Sequence, residues 1–243
     1  MSETTNLVRR RVTILNRRGL HARAAAKFVE LAGKYQAEVE VLKDETSVSA
    51  RSIMGLTPAS RGRILFGDQD ITRMSLDQRA RMGFVMTHQI VRPFRHMTLL
   101  ENATLAAGYR LTRQPWLALW RTDTREAQAR ARQELERVGI ADAANKSASQ
   151  VPLGYLKRLQ VAMALAIDPR FVMLDEPLAG LNYHEAERFS NLLLDLHQQG
   201  LSMLLVEHNL GEVMRVAKRL IVIDSGQVLA DGEPKAVMSQ TEV

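Results

Sequence analysis

FVMLDEPLAGLN, residues 171–182, is the stretch on which the reading of this chain turns. Phe171 to Leu174 form an apolar run with no polar alternation, which suits a strand buried on both faces of a parallel sheet. Asp175 and Glu176 follow at its carboxyl end, where open α/β sheets place their ligands. An Asp in that place can hold Mg²⁺ through water, and the next carboxylate can orient or deprotonate an attacking water. The same residues also read as a buried strand running into a solvated acidic turn. The flanking sequence decides between the two.

Upstream, VPLGYLKRLQVAMALAIDPR (Val151 to Arg170) is a Gly-containing turn that opens a helix. Downstream, LAGLN (Leu178 to Asn182) precedes SMLLVEHNL, a second apolar strand ending at His208. Further upstream, FVMTHQIVRPFRHMTLLEN (Phe84 to Asn102) places Gln89 just after another short strand. This ordered set resembles the ATP-binding subunit of ABC transporters. Gln89 matches the Q-loop, and Val151, Pro152, Leu153, Gly154 and Tyr155 match the signature loop. Asp175 and Glu176 match Walker B and its catalytic carboxylate, LAGLN the D-loop with Asn182 at its end, and His208 the switch histidine. THQIVRPF, MTLLEN and LGYLKRL look most like the branched-chain amino acid importer branch, and the resemblance covers about residues 57–243.

The resemblance implies an α/β fold, a parallel sheet with a helical part at about residues 98–150. It also implies ATP and Mg²⁺ as cofactors and ATP hydrolysis coupled to transport. Glu176 would polarise water, Asp175 and Gln89 would handle Mg²⁺, and His208 would contact the γ-phosphate. Such domains work as head-to-tail pairs on membrane permease subunits, each signature loop closing over the ATP of the other. The implied place is cytoplasmic, peripheral at the inner face of the cell membrane.

At 243 residues the chain can bury a sizeable core, as one large domain or one plus a small one. With no cysteine it has no disulfide, no Cys-ligated zinc and no thiol catalysis, which suits a reducing cytoplasm. No apolar stretch approaches the ~18 residues of a membrane span, and MSETTNLVRRRV has no apolar signal-peptide core. A membrane role is therefore expected through a partner. Net charge is +6, with basic residues clustered at Arg9 to Arg11 and at Arg17 and Arg18. No aromatic residue is interleaved and no nucleic-acid motif follows, so this reads as a solvated face, not a nucleic-acid surface.

In chain order, LVRRRVTIL (7–15) reads as a strand, then NRRGLHARAAAKFVELAGKY as a turn and an Ala-rich helix with apolar residues at Ala25, Phe28, Val29 and Leu31. Two strands about Lys43 to Glu45 and a helix start at Ser52 come next. This segment is similar to the phosphocarrier HPr of the sugar phosphotransferase system, through GLHARAA and SIMGL, over about residues 8–56. That resemblance implies phosphoryl transfer to His21 from phosphotransferase enzymes. Arg23 and free N–H groups at the helix start would stabilise the phosphate, and Ser52 falls at a regulatory phosphorylation position. The segment is partial, for nothing after Leu56 supplies the family's further strand and long final helix.

Two segments are thus expected: residues 1–56, partly HPr-like and α+β, and residues 57–243, ABC-like. After Leu56 come a hairpin with its turn at Gly67 to Gln69, a short helix and the strand into Gln89. Two helices lie within 98–140, separated by QPWLALW, whose Trp116 and Trp120 read as core packing or a permease-docking edge. An amphipathic helix closing at Gly200, a strand to His208, a helix over 210–219 and a hairpin turning at Ser225 and Gly226 complete the order. No G-x-x-x-x-G-K-[ST] occurs, and the one Gly-Lys pair, Gly33–Lys34, is followed by Tyr35. That loop wraps backbone N–H groups and a Lys around the phosphates. Catalysis by the chain's own site is therefore not expected, while the signature loop can still serve a partner's ATP; the alternatives are a phosphocarrier or regulatory protein phosphorylated on His21, or a non-catalytic chimera.

Overall fold

The computed structural model describes residues 26–31, 41–42, 50–59, 62–87, 92–112, 124–207, 210–224 and 227–239. The strands are β1 (Ala26–Leu31), β2 (Val41–Leu42), β3 (Arg63–Phe66), β4 (Gln69–Asp70), β5 (Phe84–Thr87), β6 (Phe171–Asp175), β7 (Ser202–Glu207), β8 (Arg219–Asp224) and β9 (Gln227–Gly232). The helices are α1 (Ala50–Ile53), α2 (Leu76–Arg81), α3 (Leu99–Thr112), α4 (Arg125–Arg137), α5 (Leu153–Ala166), α6 (Tyr183–Gln198), α7 (Leu210–Val216) and α8 (Pro234–Met238).

A sheet ordered β5-β6-β7-β1-β8-β9 forms the middle layer, and β2-β3-β4 form a smaller one. β6 runs parallel to both β5 and β7, with Leu174 level with Thr87 on one side and Leu205 on the other. Alternate residues of β6 enter different cores. Val172 and Leu174 pack with α3, α4, α5 and α6, through Leu99, Leu135, Leu159 and Phe189 among others. Phe171 and Met173 pack with Ile53, Met54, Ile64, Phe66, Ile71 and Phe84. Both faces are covered, which is why the strand is apolar without alternation. Its first residue joins Phe66 and Phe84 in an aromatic trio, with centroids 4.7 Å apart for Phe66–Phe84 and 5.2 Å for Phe84–Phe171.

The register of β5 on β6 is set by Gly83, whose carbonyl accepts from Arg170 N at 2.9 Å and Phe171 N at 3.2 Å. Its φ is +94°, and a Cβ there would lie 2.9 Å from the Arg170 nitrogen. Only glycine meets both demands.

One departure from the sequence expectation concerns the amino-terminal half. Residues 26–31 are a strand, not part of an Ala-rich helix. β1 lies antiparallel between β7 and β8, with Phe28 opposite both Val206 and Ile221. Two buried strands with a slot between them need backbone partners for every N–H and C=O on the facing edges, and β1 supplies them. Helix propensity is weak against that demand. The helix expected about Ser52 is α1, and it is fastened to residues 71–74 and to α2 by Arg79, only 2% exposed. Its guanidinium donates to the carbonyls of Ser52 (2.7 Å), Ile53, Ile71 (2.7 Å), Thr72 (3.1 Å) and Met74 (3.1 Å). These include carbonyls of the last turn of α1, where a cation is favoured.

The turns about Lys43 to Glu45 and at Ser225 and Gly226, and both tryptophans, lie outside the described residues. α8 has no counterpart in the sequence expectation; Pro234 opens it and Val237 is fully buried. Among the described residues no helix is long and apolar enough to cross a membrane.

Candidate functional site

Because β5, β6 and β7 are parallel and in step, their carboxyl ends share one edge of the sheet. Thr87 ends β5, Asp175 ends β6 and Glu207 ends β7, so Gln89 and His208 follow in sequence from the two strands flanking the carboxylates. Gln89 and His208 themselves lie outside the described residues, as do His21 and Arg23. Ser52 lies in α1, where its carbonyl accepts from Arg79 and from Gly55 N at 3.1 Å. The chain after Gln89 is tied to α3 by the fully buried Asn102. Its Nδ2 donates to the carbonyls of Phe94 (3.1 Å) and Thr98 (2.9 Å), and its Oδ1 accepts from Phe94 N (2.8 Å).

Glu176 leaves the strand with φ +43°, a left-handed backbone that costs a non-glycine residue roughly 1 kcal/mol or more. Three hydrogen bonds hold it there. Its N–H donates to Val206 O at 2.9 Å, and its carbonyl accepts from Ala179 N at 3.2 Å and from Lys157 Nζ at 3.2 Å. Next door the Glu207 carboxylate accepts from Leu178 N at 2.8 Å. Lys157 and Glu207 are both buried, at 3% and 2% exposure. Burial pushes the Lys157 ammonium below its ordinary pKa, against the pull of Glu207, Glu176 and Asp175, in that order of strength.

Sequence reasoning missed this pair, although a signal was present. Lys157 sits at i+3 from Gly154 and i−4 from Val161, on the apolar stripe of α5, and Glu207 ends the apolar run of β7. Opposite charges interrupting two apolar patterns that the fold packs together invite a buried pair.

The signature-like residues start α5. Pro152 stands at the N-cap, and being proline gives no side-chain cap to the N–H groups that follow. Val151 is half-buried, Pro152 and Leu153 are exposed and Gly154 is buried. Tyr155 donates its hydroxyl to Asp142 at 3.1 Å, and that bond leads the causes raising its pKa. The LAGLN turn lies alongside. A Cβ on Gly154 would come within 3.0 Å of Glu185 Oε1, and one on Gly180 (φ +79°) within 3.0 Å of the Leu153 side chain. Asn182 caps α6, accepting from Glu185 N at 3.0 Å while Glu185 accepts from Asn182 N at 3.1 Å. The structure thus brings Val151 to Tyr155 against the LAGLN turn, and Asp175 and Glu176 under α5 through Lys157.

The donor chemistry suits Mg²⁺ held partly by a nucleotide's phosphates. Asp175, half-buried at the strand end, offers carboxylate oxygen, and Mg²⁺ ordinarily takes one or two carboxylates and completes its shell with phosphate and water.

Comparison with known proteins agrees with this geometry. The family model described as ABC transporter matches residues 46–179, and the chain belongs to that family. Within it, the chain is 36% identical over 197 residues to the high-affinity branched-chain amino acid transport ATP-binding protein LivG of Escherichia coli (strain K12), covering 79% of this chain and 77% of that one. It is 33% identical to the corresponding protein BraF of Pseudomonas aeruginosa, with the same coverage. The fold matches a nucleotide-free ATP-binding cassette from an ABC transporter with a TM-score of 0.67 at 24% identity, over 90% of this chain and 97% of the other. It matches the ADP conformation of another such cassette with a TM-score of 0.69 at 24% identity, over 91% and 97%. A second family model, the phosphorylation site of the PTS HPr component, matches residues 8–60.

Proposed function

We propose that this chain is the ATP-binding subunit of an ABC importer of branched-chain amino acids, paired head to tail with a second ATP-binding subunit on membrane permease subunits, at the cytoplasmic face of the membrane. The observation that carries the reading is the shared carboxyl edge of β5, β6 and β7, after whose strands Gln89, Asp175 with Glu176, and His208 come in the sequence. LivG and BraF supply the substrate class.

Were nucleotide held at the chain's own strand edge, Glu176 would orient or deprotonate the attacking water, Asp175 and Gln89 would hold Mg²⁺, and His208 would meet the γ-phosphate. The uncapped start of α5, from Val151 to Tyr155, faces the partner's ATP, with Asn182 at the neighbouring turn. Backbone N–H groups at a helix start suit a phosphate. The P-loop pattern is not in these 243 residues. The chain's contribution to ATP handling therefore runs through its signature turn, toward nucleotide that the partner grips. Residues 57–243 carry the ABC role in this proposal, with β1 and β2 of residues 1–56 joined to its sheets.

The test is co-expression with branched-chain amino acid permease subunits and their second ATP-binding subunit. The chain should be recovered with membranes only when the permease is present, and Gly154→Asp should abolish ATP-dependent leucine uptake by the complex. Recovery independent of the permease, or uptake indifferent to Gly154→Asp, would overturn the reading.

The HPr match over residues 8–60 favours a second reading, a phosphocarrier or regulatory protein phosphorylated on His21. Phosphoenolpyruvate-dependent labelling that disappears in His21→Ala would support it. No labelling under conditions that label an intact phosphocarrier would rule it out.

A further inference from the structure

Lys157 connects the helix that carries the signature turn to the turn that follows β6. On α5 it lies three residues beyond Gly154, in the helix whose start faces the partner's ATP. At its other end the ammonium donates to the carbonyl of Glu176, the carboxylate beside the chain's own strand edge, at 3.2 Å. The peptide it grips is the one with the left-handed φ of +43°. Glu207 supports the same turn from the other side through Leu178 N at 2.8 Å.

We propose that Lys157 is a positioning residue that couples the signature turn to the turn following β6, by fixing the Glu176 peptide to the helix that carries the signature turn. The inference rests on the head-to-tail reading above. A small shift of α5 along its axis, as its start engages a phosphate, pulls on the Glu176 carbonyl and turns the carboxylate that follows β6. The link also works in reverse, as any coupling between sites must. Packed interiors transmit such shifts because they yield little.

Amide hydrogen exchange, read residue by residue on the full chain, tests this without nucleotide, so its failure and that of the transport reading are separate results. Lys157→Met alone strands buried carboxylates and would destabilise the fold broadly. Lys157→Met with Glu207→Gln keeps the charge balance and keeps an acceptor for Leu178 N. In that double variant Leu178 and Ala179 should exchange about tenfold faster, the size of one lost charge-assisted hydrogen bond. Val172 to Leu174 should be unchanged, and Lys157→Arg, which can still donate, should stay close to the parent. Coupling itself is read by adding Gly154→Ala. This should move the Glu176 amide resonance in the parent and leave it in place in the double variant. Unchanged protection at Leu178 and Ala179, an equal loss along all of β6, or a Glu176 response to Gly154→Ala that survives without Lys157 would each overturn the proposal.

Discussion

Replacing Arg79 by Met should cost the protein more than any exposed charge could. The guanidinium has five carbonyl acceptors and no carboxylate among them. Ser52 O and Ile71 O keep a second donor after the change, Gly55 N at 3.1 Å and Met74 N at 3.0 Å. The carbonyls of Ile53, Thr72 and Met74 lose their link to Arg79. A buried polar group left unsatisfied costs about 1–3 kcal/mol. Against this, the desolvation of the guanidinium, the burial that lowers its pKa, is relieved. Three such carbonyls, less that relief, leave a net loss of about 3 kcal/mol, a large part of the ~5–15 kcal/mol that holds a typical domain together. Urea unfolding followed by circular dichroism should show the midpoint falling at constant slope, and the melting temperature should drop by about 6–12 °C for a chain of this size. Arg79→Lys should recover part of the loss, since one ammonium has three donors. A loss below about 1 kcal/mol in Arg79→Met would refute the reasoning, by showing that α1 does not depend on these bonds.

Other perturbations have equally definite outcomes. His197 is 4% exposed, and burial holds its pKa below the ordinary histidine value. The unfolded chain therefore binds its proton first, so stability is full above about pH 6.5 and falls as pH drops from there toward the folded value. His197→Phe should flatten that acid limb in melts taken at stepped pH. Gly83→Ala forces a side chain into φ +94° and within 2.9 Å of the Arg170 nitrogen. It should cost more than the ~1 kcal/mol of backbone strain alone, and amide exchange should quicken at Arg170 and Phe171. Asn182→Ala removes the cap of α6 and should cost about 1 kcal/mol in urea unfolding, leaving Asp175 and Glu176 untouched.

What the sequence made legible was the frame. Phe171 to Leu174 and Met203 to Val206 are apolar without alternation because both faces are covered, and that pattern needs no partner to be read. Asp175 and Glu176 were legible because they close an apolar run at its carboxyl end, and the start of α5 because Pro152 precedes an apolar helical pattern. β1 was not legible. Whether AKFVEL coils or extends depends on an open edge between β7 and β8, which are distant from it in sequence. Lys157, Glu207 and Arg79 escaped for a related reason. A lone charge within an apolar pattern reads as a solvated position until the fold shows the acceptors around it.

The most direct measurement is thermal unfolding of the isolated chain with and without saturating Mg-ATP. A ligand at ~100 times its dissociation constant stabilises a binder by about 2.7 kcal/mol, or about 5–11 °C for a chain of this length. One cooperative transition that Mg-ATP leaves in place is the result the proposed function predicts, since it has the signature turn serve nucleotide gripped by a partner. An upward shift of that size would contradict it, and would mean that these residues hold ATP on their own without the P-loop pattern.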